Sequence, residues 1–180
     1  DESIPGLSDL YFEPLTLSWH GQQYDAAFGY SFFAPTACSS PGTAKPGKGF
    51  WTHMITLGGT VYFDEQKTWS FSALNRYEFN SEEKDTGITP GQAWTIEWGL
   101  SKAIRPTVEI GLAGYYQLQT TTDSGAGASS ARDQVVAVGP EITAICPKLK
   151  LMTSLRYLRE FAAEDRTEGN AVTVTFTRRF

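Results

Sequence analysis

Nine stretches of roughly 10 to 14 residues, each alternating apolar and polar positions with a period of two, follow one another along the chain. They fall at about 7–19, 24–35, 50–64, 69–80, 92–102, 107–120, 134–146, 149–162 and 171–180. No comparable helical period occurs, so the chain reads as all-β. The connections constrain the fold further. "HGQQ", "EQK", "AIRP" and "PK" are tight, whereas "TACSSPGTAKPGKG", "SEEKDTGITPG", "TDSGAGASSARD" and "AEDRTEGN" are long and rich in Gly, Ser, Pro and charge. Short and long alternate without exception. A meander with turns on one rim and loops on the other is the pattern of an antiparallel transmembrane β-barrel, whose turns face the periplasm and whose loops face outward.

Splitting the strands into faces separates two chemistries. One face carries Tyr24, Phe28, Tyr30 and Phe32, then Trp69, Phe71, Tyr77 and Phe79, then Val108, Ile110, Leu112, Tyr116 and Leu118. The other carries Asp25, Gly29 and Ser31, then Ser70, Ser72, Arg76 and Glu78, then Glu109, Gly111, Tyr115, Gln117 and Gln119. In a soluble lipocalin-like barrel the apolar face would point inward. Two features oppose that. The strands exceed the roughly 5 to 6 residues usual in globular sheets and match the roughly 9 to 11 tilted residues that cross a bilayer. Aromatics also sit at strand ends, with Trp19 and Trp69 beside short turns and Trp51 and Trp94 beside long loops, as interfacial girdles require. Trp98, in mid-strand, is the exception. Were the faces exchanged, Arg76, Glu78, Glu97, Glu109, Glu141 and Arg156 would meet lipid, at roughly 2 to 4 kcal/mol for each midplane Arg and less for each carboxylate. The polar face is therefore expected to line the lumen. Hydrophobic residues make up 41% of the chain and charged ones only 19%, a balance that suits a wall with lipid on one side. No run of eighteen apolar residues marks a transmembrane helix, and a net charge of -5 gives no support to a nucleic-acid partner.

The strand count has a parity. The final strand, preceded by a long loop, descends to the periplasmic side, and so does the first. Bacterial barrels have even strand numbers and periplasmic termini, so the expectation is a single barrel domain over 1–180 whose earlier strands lie upstream of Asp1. At this point the residues resemble a known family, the outer-membrane channel proteins associated with meta-pathway phenol degradation. "GLSDLYFEPLTLSWHGQQYDAAFGYSFFAPT", "GKGFWTHMITLGGTVYFDEQKTWSFSALNRYEF", "EWGLSKAI" and "EIGLAGYYQLQ" carry the resemblance in order and spacing. It implies a monomeric twelve-stranded barrel, with three strands before Asp1, that passes small aromatic or otherwise hydrophobic molecules across the outer membrane. It implies no catalytic residues.

Several local features bear on chemistry. "GTAKPGK" fits GxxxxGK, but Gly49 stands where a phosphate-binding loop needs Ser or Thr, and no helix follows. His20 lies at a short turn and His53 near a long loop, on opposite rims, so neither a Ser-His pair nor a two-His metal site is easily assembled. His53 is expected in the belt beside Trp51. Cys38 and Cys146 also fall on opposite rims, too far apart for the roughly 4.4 to 6.8 Å of a disulfide. The lumen charges are better candidates. Arg76 and Glu97, and likewise Glu141 and Arg156, lie at matching heights on adjacent strands. They either fill a narrow interior as structural pairs or set the pore's width and field. Glu78 and Glu160 are expected to add negative field near the outer mouth, and Tyr115, Gln117 and Gln119 to offer an amphipathic track.

The sequence therefore points to a passive outer-membrane channel for small molecules, with no enzymatic step, no metal and no cofactor. Its expected partners are outer-membrane lipids and lipopolysaccharide, the solutes, and the outer-membrane assembly machinery, which would read the C-terminal strand ending in Phe180. The alternatives are an outer-membrane enzyme or adhesion barrel and a soluble lipocalin-like binding barrel.

Overall fold

The computed structural model describes residues 7–37 and 47–178. They form one nine-stranded sheet in strict sequence order, each strand antiparallel to the next. The strands are β1 (Leu10–His20), β2 (Tyr24–Ala34), β3 (Thr52–Tyr62), β4 (Trp69–Asn80), β5 (Ala93–Arg105), β6 (Val108–Gln119), β7 (Gln134–Cys146), β8 (Leu151–Glu164) and β9 (Asn170–Arg178). All nine expected strands are present, and short and long connections alternate as anticipated. Phe180, Cys38 and most of "GTAKPGK" lie outside the described residues.

The ends of several strands differ from the sequence reading, for local reasons. Leu7–Asp9 stays outside β1, where the Asp9 carboxylate accepts backbone N–H groups from Ala37 at 3.1 Å and Lys48 at 2.6 Å. Phe50 and Trp51 stay outside β3, where Trp51 exchanges bonds with Ser81: its N–H donates to Oγ and its carbonyl accepts the Ser81 N–H. β8 begins after a single 3-10 turn, Pro147–Leu149, and Lys150 closes that turn in the left-handed region at φ 51°. The β1–β2 register slips between Phe12 and Leu15. Pro14 sits there with no N–H for the ladder, which is where a bulge is least costly.

The turn between β3 and β4 is held by one carboxylate. Asp64 accepts the backbone N–H of Trp69 at 2.7 Å, that of Thr68 at 3.0 Å and the Thr68 hydroxyl at 2.8 Å. The Trp69 N–H, with the Thr68 donors behind it, favours the ionised carboxylate and holds its pKa below the usual Asp range.

The two faces have the solvent pattern of a globular protein turned inside out. Leu57, Val61, Leu112, Ile142 and Leu155 are exposed on one face. Of the most buried side chains, Ser31, Thr52, Met54, Ala113, Val135, Ala137 and Leu158 lie on the other, and Ala34 alone ends the apolar face of β2, opposite Leu10. The sheet also curls strongly. A cavity of about 460 Å³ on the polar face touches Ser18 of β1, Asp25 of β2 and Arg156 of β8. Strands six or seven positions apart in the sheet thus face one another across it. Trp98, the aromatic out of place in the girdle, sits on the outer face over Gly114, where an added Cβ would come within 2.8 Å of the indole. The glycine makes room for a ring in mid-strand.

Candidate functional site: the inner face of the wall

The register brings the expected lumen charges onto one face. Leu74 pairs with Glu97, Glu97 with Tyr115, Gly111 with Glu141, and Glu141 with Arg156. Side chains at paired positions share a face, so Glu97, Tyr115, Glu141 and Arg156 all point to the concave side. Arg76 and Glu97 form an ion pair across β4 and β5. Arg156 Nη2 donates to both oxygens of Glu141, at 3.0 and 3.2 Å. Both pairings read from strand height are therefore present.

Glu78 and Glu160, expected to add negative field near the outer mouth, both meet a cation carried by a connection. Lys48 Nζ reaches Glu78 Oε2 at 3.3 Å and stands 5.0 Å from the centre of the Phe33 ring. Arg166, between β8 and β9, places Nη2 3.6 Å from Glu160 Oε1, while its Nη1 donates to Gln117 Oε1 at 3.3 Å. Tyr115 donates its hydroxyl to the same Glu160 carboxylate. The negative field expected there is thus locally compensated, because Lys48 and Arg166 reach the two carboxylates from the connections. Lys48 and Arg166 lie outside any period-two segment, so alternation carries no signal for them.

Other inward groups also escaped the pattern. Tyr11 donates to Glu13 at 2.7 Å beside the β1 bulge. At the short-turn rim Tyr62 donates to Asp25 at 2.7 Å, and His20 Nδ1 lies 2.7 Å from the other Asp25 oxygen. These pairs cross a bulge or link neighbouring strand ends, positions for which the sequence gives faces but not rotamers. Glu109 lies on the inner face near the same rim, opposite Ala103 and Thr143. Among the described residues no cluster of His, Cys, Asp and Glu could hold a metal ion.

The aromatics that the sequence assigns to girdles stand at or beside the strand ends. Trp19 ends the outer face of β1, and Trp69 opens β4 with Lys102 Nζ 4.5 Å from its ring centre. At the opposite rim the Trp51 and His53 rings stack at 6.4 Å, and Trp94 meets Tyr116 edge-on at 6.1 Å. His53 therefore joins the belt, with its Nδ1 2.7 Å from the Tyr30 hydroxyl. His20 is at the far rim, so the two histidines do not meet.

The arrangement is a curved wall with an apolar outside, a polar and ion-paired inside and aromatic belts at both rims. It suits polar solutes or water against its concave face and lipid against its convex one. No curated protein matches the chain. The crystal structure of an outer membrane channel from Pseudomonas putida F1 superposes with a TM-score of 0.81 at 12% identity, over 96% of this chain and 66% of that one. The chain thus spans about two thirds of that channel's length. At that identity the likeness establishes the fold alone, an antiparallel β-barrel wall. The family model described as "Putative MetA-pathway of phenol degradation" matches residues 1–176, and the chain belongs to that family.

Proposed function

We propose that this chain forms most of the wall of an outer-membrane channel through which small molecules, aromatic or hydrophobic compounds among them, pass passively. The observation that carries the reading is the inverted burial. Large apolar side chains such as Leu57 and Leu112 face outward, while charged pairs line a concave cavity of about 460 Å³, a volume in the range of small-molecule sites. The family's link to phenol degradation supports an aromatic cargo. In this reading the short turns face the periplasm and the long loops face outward.

β1 and β9 are the two edges of the sheet. An edge facing lipid leaves backbone groups unpaired at several kcal/mol each, so the reading requires additional strands, three in a twelve-stranded monomer, to close the wall between them. The outer partners are lipid and lipopolysaccharide, and β9, at one edge of the sheet, is the segment offered to the assembly machinery. Passage involves no covalent step and no cofactor, and the inner ion pairs shape the field rather than react.

Reconstitution of the full-length protein in planar bilayers tests the proposal. Conductance steps together with uptake of small aromatic solutes into proteoliposomes are expected. A folded, inserted barrel that produces neither would overturn the channel reading.

A further inference from the structure

The inner face is covered at two places, one around Ser31, Thr52 and Met54 and one on β7, where Val135 and Ala137 are both 0% exposed. The cover on β7 is made by residues from three different segments. Tyr115 packs against the cluster of Ala113, Ala137 and Leu158 and donates its hydroxyl to Glu160. Arg166 then spans the gap, with one guanidinium nitrogen on Glu160 of β8 and the other on Gln117 of β6, the register partner of Val135. A loop residue thus reaches over β7 and ties β8 to β6. The backbone beside it is bent to suit, since Ala162 and Asp165 both adopt left-handed φ, 53° and 54°, a conformation costing non-glycine residues strain that the surrounding contacts must offset. Within this segment, Glu168 accepts the Ala163 N–H at 3.2 Å.

We propose that Arg166 is a specificity-determining residue of the passage. It latches the β8–β9 loop across the inner face onto Glu160 and Gln117, and the latched loop, with Tyr115 beneath it, forms the constriction at the long-loop mouth. A solute must pass beside a guanidinium and a phenol ring that share one carboxylate. Such a site favours flat molecules able to stack on the ring while offering a hydrogen-bond acceptor to the guanidinium. This inference rests on the channel reading for its transport consequence, but the latch itself has a readout independent of transport.

The test uses the full-length barrel with Cys38→Ser and Cys146→Ser, and a reporter thiol introduced by Val135→Cys. A membrane-impermeant maleimide is applied from the long-loop side. With Arg166 in place labelling should be slow. With Arg166→Gln it should accelerate about tenfold, the factor that accompanies loss of one charge-assisted contact, and Arg166→Lys should fall between. In planar bilayers Arg166→Gln should raise single-channel conductance and weaken discrimination between planar aromatic and aliphatic solutes of similar size. Equal labelling rates in the folded parent and the folded Arg166→Gln barrel would overturn the latch. Faster labelling with unchanged conductance and selectivity would overturn its role as the constriction. A parent barrel that labels as expected but does not conduct would overturn the channel reading and the specificity role together, while leaving the latch standing.

Discussion

Replacing Leu57 with Arg separates a membrane wall from a soluble sheet. Leu57 is the sixth of eleven residues in β3 and is 57% exposed on the outer face. Five residues lie on either side of it within the strand. At about 3.3 Å per residue and a tilt near 40°, each half-strand rises about 13 Å. That is half of the roughly 25 Å apolar band of such barrels, so Leu57 sits at the midplane, where snorkelling helps an Arg least. On a water-exposed surface Leu57→Arg would change stability by no more than about 0.5 kcal/mol. At the lipid midplane it should cost about 2 to 4 kcal/mol, a shift in the folded-to-unfolded ratio of roughly 30- to 700-fold. Leu74→Arg, in mid-strand on the inner face of β4 and opposite Glu97, is the control: its guanidinium enters the polar lumen beside a carboxylate and should cost less. The assay is equilibrium urea unfolding of the full-length barrel in phospholipid vesicles, followed by tryptophan emission. A Leu57→Arg cost below that of Leu74→Arg would refute the assignment of faces.

Three further outcomes follow from the same geometry. Arg156→Met strands the Glu141 carboxylate and should destabilise by about 1 to 3 kcal/mol; adding Glu141→Gln should recover part of that loss in a double-mutant cycle measured by urea unfolding. Gly139→Ala should cost about 1 to 3 kcal/mol in the same assay, because its Cβ would collide with the Tyr157 carbonyl oxygen, whereas Gly99→Ala, whose nearest contact is 3.8 Å, should be nearly neutral. The Asp64 carboxylate is held below its ordinary pKa by the Trp69 N–H. Its contribution is therefore complete above the unfolded Asp value near 4 and lost as pH falls through the lower folded value. Unfolding midpoints of the parent should fall across that acid window, and the Asp64→Asn variant should lack this component.

Much of the wall was legible because a strand's two faces repeat with a period of two, so that each side chain's destination follows once one residue is placed. This is why Arg76 and Glu97, or Glu141 and Arg156, could be set on one face and their heights compared. Boundaries failed where a local hydrogen bond competes with the ladder, as at Asp9 and at Trp51 with Ser81. The charge balance at the long-loop mouth failed for a different reason. Glu78 and Glu160 lie on strands and could be placed, but Lys48 and Arg166 lie on connections with no repeating geometry.

The sequence by itself determined the number and order of the strands, the apolar and polar faces and the aromatics at the strand ends, since alternation and turn chemistry are local. Only the tertiary structure decided what covers the inner face. The curl that brings Ser18 and Arg156 to one cavity, and the contacts that bring Arg166 to Glu160 and Gln117, depend on how distant segments share space. No pattern within a single strand encodes that.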